Sequence, residues 1–184
     1  AGGPDLDHHL AAAITASRSV TRVELQPWQH DDAAHDRQLA HSVATRLAAL
    51  RPDLPVTIAE APHDLHQAAA HTTHHALVLG LRFHALLAAA AVGTPFVAVA
   101  HEPKLAGLAT RFDQIWVPPH ASPAVLGHAI DRGFSRPAPE RTVARLEAAR
   151  AAEAFGLLRL VLTGGAEVTT THARLALSSG SATW

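Results

Sequence analysis

ALVLGLRFHALLAAAAVGTPFVAVAHEPK, residues 76–104, decides the fold. Leu77, Val78 and Leu79 form an apolar run that stops at Gly80. Arg82 and His84 follow at once, inside the first turn of an alanine- and leucine-rich helix that ends near Gly93. Pro95 opens a second apolar run, Phe96 to Ala100, and His101-Glu102-Pro103-Lys104 closes the unit. Near-continuous apolar strands on either side of a helix predict a parallel β-α-β crossover buried on both faces. Such a unit carries both polar clusters at the C-terminal ends of its strands, the edge where open parallel sheets bind ligands.

Outward from this unit the alternation of β and α continues in both directions. Asp5 to Ala16 predicts a helix, with Asp5 as its cap and Leu6, Leu10 and Ala13 on one face. Val20 to Leu25 reads as a strand ending at Pro27. Asp31 and Asp32 precede a long amphipathic helix with the stripe Leu39, Val43, Leu47 and Leu50, stopped by Arg51-Pro52. Pro55 to Ala59 is a short strand, and His63 to Thr73 a helix leading into the central unit. Beyond Lys104 come a helix over Leu105 to Thr110, a strand over Gln114 to Val117, and a helix from Ser122-Pro123 through Arg132. Pro137 and Pro139 mark a linker, and Arg141 to Leu160 predicts a closing helix whose arginines, glutamates and alanines interleave as a solvated face. From Thr163 onward Gly, Ser and Thr dominate.

The pattern predicts an α/β domain over residues 1–160, a doubly wound parallel sheet of Rossmann type, and a tail over 161–184 with no assigned structure. The chain opens on a loop and a helix, as though a preceding strand were missing. It also contains no methionine, which points the same way, to a piece of a longer protein.

Composition narrows the function. With 184 residues, 48% of them hydrophobic, the chain can build one good core but not two large domains. A net charge of -1 leaves no global field to draw nucleic acid or acidic lipid, so no nucleic-acid partner is expected. The lack of cysteine excludes disulfides and thiolate metal sites. No apolar run reaches the ~18 residues of a membrane span, and no basic-then-apolar leader begins the chain, so a soluble cytoplasmic domain is expected. Among 15 basic side chains Lys104 is the only lysine, which hints that a compact ammonium is wanted there rather than a planar fork.

A strand that ends at glycine and turns straight into a helix leaves backbone N–H groups unpaired at the helix mouth, and with the helix dipole these make an anion site. Arg82 adds a bidentate partner for phosphate or carboxylate. His84 adds a donor or a proton-transfer group. Lys104, at the end of the neighbouring strand, aims a further cation at the same space, which suits a small polyanionic substrate. Glu102 can orient Lys104 or His84, or cap the next helix. The plainer readings are a solvated Arg82, a satisfied core histidine at 84 and a surface lysine at 104.

Histidines 63, 66, 71, 74 and 75 invite a metal reading, and His71 and His75 have helical i, i+4 spacing. Ligating histidines need carboxylate support, and Asp64 alone stands near them in sequence. With 15 histidines scattered along the chain, the cluster reads as compositional and no metal is assigned. Trp116 reads as core or interdomain packing rather than a sugar platform, and Trp28 as packing at a strand end.

Gly80-Leu81-Arg82-Phe83-His84-Ala85-Leu86-Leu87, then Ala91-Val92-Gly93-Thr94-Pro95-Phe96-Val97, then Glu102-Pro103-Lys104 resemble the C-terminal half of the polysaccharide pyruvyl transferases. That family's signature is Gly-x-Arg-(Leu/Phe)-His-Ala, a Gly-x-Pro turn, and Tyr-Asp-Pro-Lys, for which this chain has His101-Glu102-Pro103-Lys104. The likeness is strong over Ala76 to Lys104, looser from Asp5 to Leu160, and absent from Thr163 to Trp184.

The resemblance implies a two-domain fold like that of GT-B glycosyltransferases, with the active site in the interdomain cleft. This chain would supply the C-terminal half, and the missing N-terminal domain of the parent chain would be its partner. The implied reaction transfers pyruvate as a ketal from phosphoenolpyruvate to a sugar or lipid-linked oligosaccharide acceptor of a cell-surface polysaccharide. No cofactor is implied, and the setting is the cytoplasm, at the inner face of the membrane. By the same resemblance Gly80, Arg82, Phe83 and Glu102 bind substrate, and His84 and Lys104 are catalytic, with His84 as the acid that protonates the enol methylene. The half alone would be inactive. Two other readings stand beside this one: a GT-B nucleotide-sugar glycosyltransferase or epimerase domain whose helix mouth holds a diphosphate, and a non-catalytic remnant that binds a partner chain.

Overall fold

Ser122 and Pro123 start a helix for reasons visible in their side chains. The Ser122 hydroxyl accepts a hydrogen bond from the Val125 N–H at 3.4 Å, and Pro123, with no N–H to satisfy, takes the first helical position. The other end of a helix is set as locally by Gly93, whose φ of 78° is left-handed and lets the chain pass from helix to strand through only three residues, Gly93 to Pro95.

The computed structural model describes residues 6–28 and 33–140. Their elements are α1 (Leu6–Ala16), β1 (Val23–Leu25), α2 (Ala33–Leu50), β2 (Val56–Ile58), α3 (Leu65–Thr72), β3 (Val78–Gly80), α4 (Phe83–Val92), β4 (Phe96–Val99), α5 (Pro103–Arg111), β5 (Ile115–Val117) and α6 (Pro123–Phe134). The expected closing helix over Arg141 to Leu160, the tail, the Asp5 cap and the Asp31-Asp32 pair lie outside the described residues.

All strand pairs are parallel, as an alternating β/α chain requires. β4 lies between β3 and β5, with Val78 opposite Phe96 and Val97 opposite Ile115. β1 pairs with β2, Val23 opposite Val56. The fold is therefore the Rossmann-like α/β class expected, but its strands form two small parallel sheets rather than one continuous sheet. Strands of three or four residues offer few ladder bonds, and side-chain packing joins the two sheets instead. One core cluster runs from Leu10, Ile14, Val43 and Leu47 to Val97, Val99, Leu126 and Ile130.

Helices cover the strands in two groups, with α1 against α2 and α6, and α4 against α3 and α5. β4 touches α4, α5 and α6 and is buried at every position. Val78 and Leu79 of β3 are only half-buried, so burial on both faces holds for β4 and in part for β3.

Two carboxylates tie the first helix layer together. Asp131 on α6 accepts from Ser17 Oγ at 2.6 Å and from the Arg18 and Ser19 N–H groups at 3.0 Å each, just past the end of α1. The Ser17 hydrogen bond, aided by the two backbone donors, holds the Asp131 carboxyl down at about 2. Asp7 on α1 accepts from Ser42 and Arg46 on α2, which hold it well below the usual carboxylate range.

Three expectations need correction. Val43 and Leu47 are buried and Leu39 packs on the core, but Leu50, the last residue of α2, is 48% exposed. Arg51 makes the contact there instead, its guanidinium donating to the Ser17 and Val20 carbonyls. Of the two readings for Trp116 the core one fails and the interdomain one is untouched; it is 47% exposed, because the two-residue period of β5 turns it away from buried Val117. Asp64 gives no support to the histidines, since it is the N-cap of α3 and accepts from the Gln67 N–H at 2.7 Å. Among the described residues no helix is long and apolar enough to cross a membrane.

Candidate anion site at the strand ends

Gly80 ends β3 because nothing larger fits. A Cβ there would lie 2.2 Å from Leu86 Cδ2 and 2.8 Å from Leu86 Cγ, and Leu86 is fully buried in α4. The close approach lets α4 begin three residues after the strand ends, and it fixes where Arg82 and His84 stand. Arg82 is the N-cap of α4, in extended conformation, rather than a residue of its first turn, and its side chain does not cap the helix. Glu102 is likewise the N-cap of α5, with Pro103 at the first helical position and no side-chain cap. Two helix mouths therefore open side by side off the paired strands β3 and β4, each without a capping side chain. Their orphan N–H groups favour negative charge in front of them.

The charged side chains at this edge alternate in sign. Arg82 Nη2 donates to Asp36 Oδ1 of α2 at 2.7 Å, and Asp36 Oδ2 accepts from the Trp28 N–H at 3.1 Å. Lys104 Nζ lies 2.7 Å from Glu102 Oε2, and His101 Nε2 lies 3.6 Å from Glu102 Oε1. The Lys104 hydrogen bond holds the Glu102 carboxyl below its usual range, with further help from the charges of Lys104, His101 and Arg82. Arg82 and Lys104 thus both act on one carboxylate, from the ends of adjacent strands.

His84, in the first turn of α4, is exposed rather than a satisfied core histidine, and its ring stands edge-on to Phe83 at 6.0 Å. Lys104 is exposed as well, with 60% of its side chain accessible, and Arg82 is partly so at 41%. The structure brings Gly80, Arg82, Phe83, His84, Glu102 and Lys104 to one edge. Sequence reasoning missed Asp36, which meets Arg82 from 46 residues upstream. Its one signal is an acid in the first turn of the helix that follows a strand end.

The profile of the family described as polysaccharide pyruvyl transferase matches residues 6–103, more than half of the chain. The chain belongs to the polysaccharide pyruvyl transferase family. The matched stretch takes in the whole Gly80 to His84 turn and ends one residue before Lys104. A polysaccharide pyruvyl transferase is a transferase with a polysaccharide acceptor. No curated protein and no solved structure matches the chain.

A second polar cluster lies apart from these residues, at the end of α3. Glu24 of β1 meets His71 and His75, with hydrogen bonding between Glu24 Oε1 and His71 Nε2, and His75 Nε2 3.4 Å from the same oxygen. Burial alone would push the Glu24 carboxyl up; the His71 hydrogen bond and the charges of His71, His75 and Arg22 outweigh it and hold it below the usual range. The i, i+4 histidines were legible in the sequence, but Glu24, 47 residues before His71, was not.

Proposed function

We propose that this protein is a pyruvyl transferase that moves the carboxyethylidene group of phosphoenolpyruvate onto two hydroxyls of a sugar, as a ketal. What carries the reading is the family match across the Gly80-Leu81-Arg82-Phe83-His84 turn, together with the shared edge on which Arg82 and Lys104 flank Glu102. The donor has a phosphate and a carboxylate, and this edge offers two fixed cations, a histidine and two helix mouths. Arg82 and the mouth of α4 hold one anionic group, and Lys104 with the mouth of α5 the other.

In the reaction, His84 protonates the methylene carbon of the enol, leaving positive charge at the neighbouring carbon. The two acceptor oxygens bond to that carbon, its bond to the phosphate oxygen breaks, and Lys104 stabilises the leaving phosphate. One hydroxyl proton replaces the proton that His84 gave up, and the other leaves with phosphate. No cofactor takes part. In this reading the acceptor, a sugar or lipid-linked oligosaccharide, faces the edge across a cleft closed by a second domain of GT-B type. The reaction runs in the cytoplasm, at the inner face of the membrane.

Calorimetric titration of phosphoenolpyruvate into the full chain tests this. Losing one charge-assisted contact costs about 1.5–3 kcal/mol, so Arg82→Ala and Lys104→Ala should each weaken binding roughly 10- to 100-fold. Unchanged affinity in both variants removes the site assignment. Displacement of phosphoenolpyruvate by a nucleoside diphosphate sugar at lower concentration would turn the reading toward a glycosyltransferase.

A further inference from the structure

The cluster at the end of α3 has a donor set suited to a metal ion. Glu24, His71 and His75 each offer one ligand atom, and these three atoms lie within 4.8 Å of one another. Around a tetrahedral ion with bonds of about 2.0–2.1 Å, neighbouring ligand atoms stand about 3.3 Å apart. The His75 Nε2 to Glu24 Oε1 separation of 3.4 Å already meets that spacing.

The orientation of His75 is set from behind. Its Nδ1 lies 3.2 Å from the His71 carbonyl oxygen, which can only accept, so in the neutral ring this nitrogen carries the proton. The Nε2 lone pair then points at Glu24. A backbone carbonyl holding the far nitrogen of a ligating histidine is a recurrent support of metal centres. The Glu24 side chain is only 16% exposed, while those of His71 and His75 are 37% and 29% exposed, so the cluster is anchored on its strand side and open to solvent on the other.

We propose that Glu24, His71 and His75 form a binding site for a divalent transition-metal ion, Zn²⁺ by its two imidazoles and one carboxylate, with the remaining position left to water. The ion would replace the hydrogen bond between His71 and Glu24 and join β1 to the end of α3. The site rests on these three residues alone and stands or falls apart from the transferase reading.

The test uses the metal-free full chain titrated with Zn²⁺ against a chromophoric chelator, and with Co²⁺ for its visible absorption. The expected result is one tight Zn²⁺ per chain and a four-coordinate Co²⁺ spectrum. His71→Ala, His75→Ala and Glu24→Gln should each lower the affinity at least tenfold. His63→Ala, His66→Ala and His74→Ala, drawn from the same histidine-rich stretch, should leave it unchanged. Glu24→Gln keeps the shape and hydrogen-bonding capacity of the side chain, so it reports on the site even if a histidine variant misfolds. A wild-type chain that takes up no Zn²⁺ more tightly than the chain with all three residues replaced overturns the proposal. So does Zn²⁺ affinity that follows His63, His66 and His74 instead, and in either case the cluster is a hydrogen-bonded triad only.

Discussion

Replacing Asp131 with Asn tests how α1 and α6 are held. The substitution keeps the size of the side chain and one acceptor oxygen but removes the charge that receives Ser17 Oγ at 2.6 Å and the Arg18 and Ser19 N–H groups at 3.0 Å. Hydrogen bonds to an ionised group contribute about 1.5–3 kcal/mol and neutral ones about 1. The three short bonds all fall on Oδ1, so the Asn oxygen can keep them as neutral bonds while its NH2 faces only the Arg18 N–H, 3.4 Å from Oδ2. Partial exposure of Asp131 keeps the loss near the lower end, ~2 kcal/mol at neutral pH. In a chain of this length that is a fall in Tm of about 4–8 °C. The pH dependence has a definite sign. The folded-state carboxyl titrates at about 2 against an ordinary value of 3.8, so the unfolded chain binds more protons in between. The stabilisation is complete above pH ~4 and is lost as pH falls through about 2. Urea denaturation of both proteins at pH 7 and at pH 2.5 measures this. A variant as stable as wild type at pH 7, or a deficit undiminished in acid, would refute the argument.

Glycine substitutions give a pair of opposite sign. At Gly127 on α6 a Cβ would stand 2.9 Å from the Ala13 carbonyl oxygen and 3.0 Å from Ala16 Cβ, so Gly127→Ala forces α1 and α6 apart and should destabilise by about 1–3 kcal/mol despite its better helix propensity. At exposed Gly107 on α5 a Cβ meets nothing within 4 Å, and Gly107→Ala should stabilise by about 0.5–1 kcal/mol; thermal melts of the two variants decide both. Gly80→Ala should cost about 1–3 kcal/mol in the same assay, because fully buried Leu86 has nowhere to retreat.

The central unit was legible because it depends on neighbours in sequence. Apolar runs, a helix-ending glycine and the Ser122-Pro123 start are local signals, and each produced the element expected of it. The placement of the candidate residues was legible to the same depth: which residues reach the sheet edge follows from strand and helix order. The charge partners were not. Asp36 meets Arg82 across 46 residues and Glu24 meets His71 across 47, through the packing of separate elements, and no spacing rule connects them. Leu50 and Trp116 mark a related limit. Periodicity assigns a side chain to a face, but whether that face is covered depends on where the covering element stops, as α2 does at Leu50.

The alternation of charge along the strand ends has one more consequence. Under the proposed function, an anion arriving there would meet two cations that are already partnered, Arg82 by Asp36 and Lys104 by Glu102. Capture would then be an exchange in which the newcomer supplants an internal carboxylate whose exposed pairing contributes little. Only the surplus counts toward affinity, which favours a doubly charged phosphate over a single carboxylate. On departure of such an anion the internal acids would re-form the pairs seen here, Asp36 with Arg82 and Glu102 with Lys104.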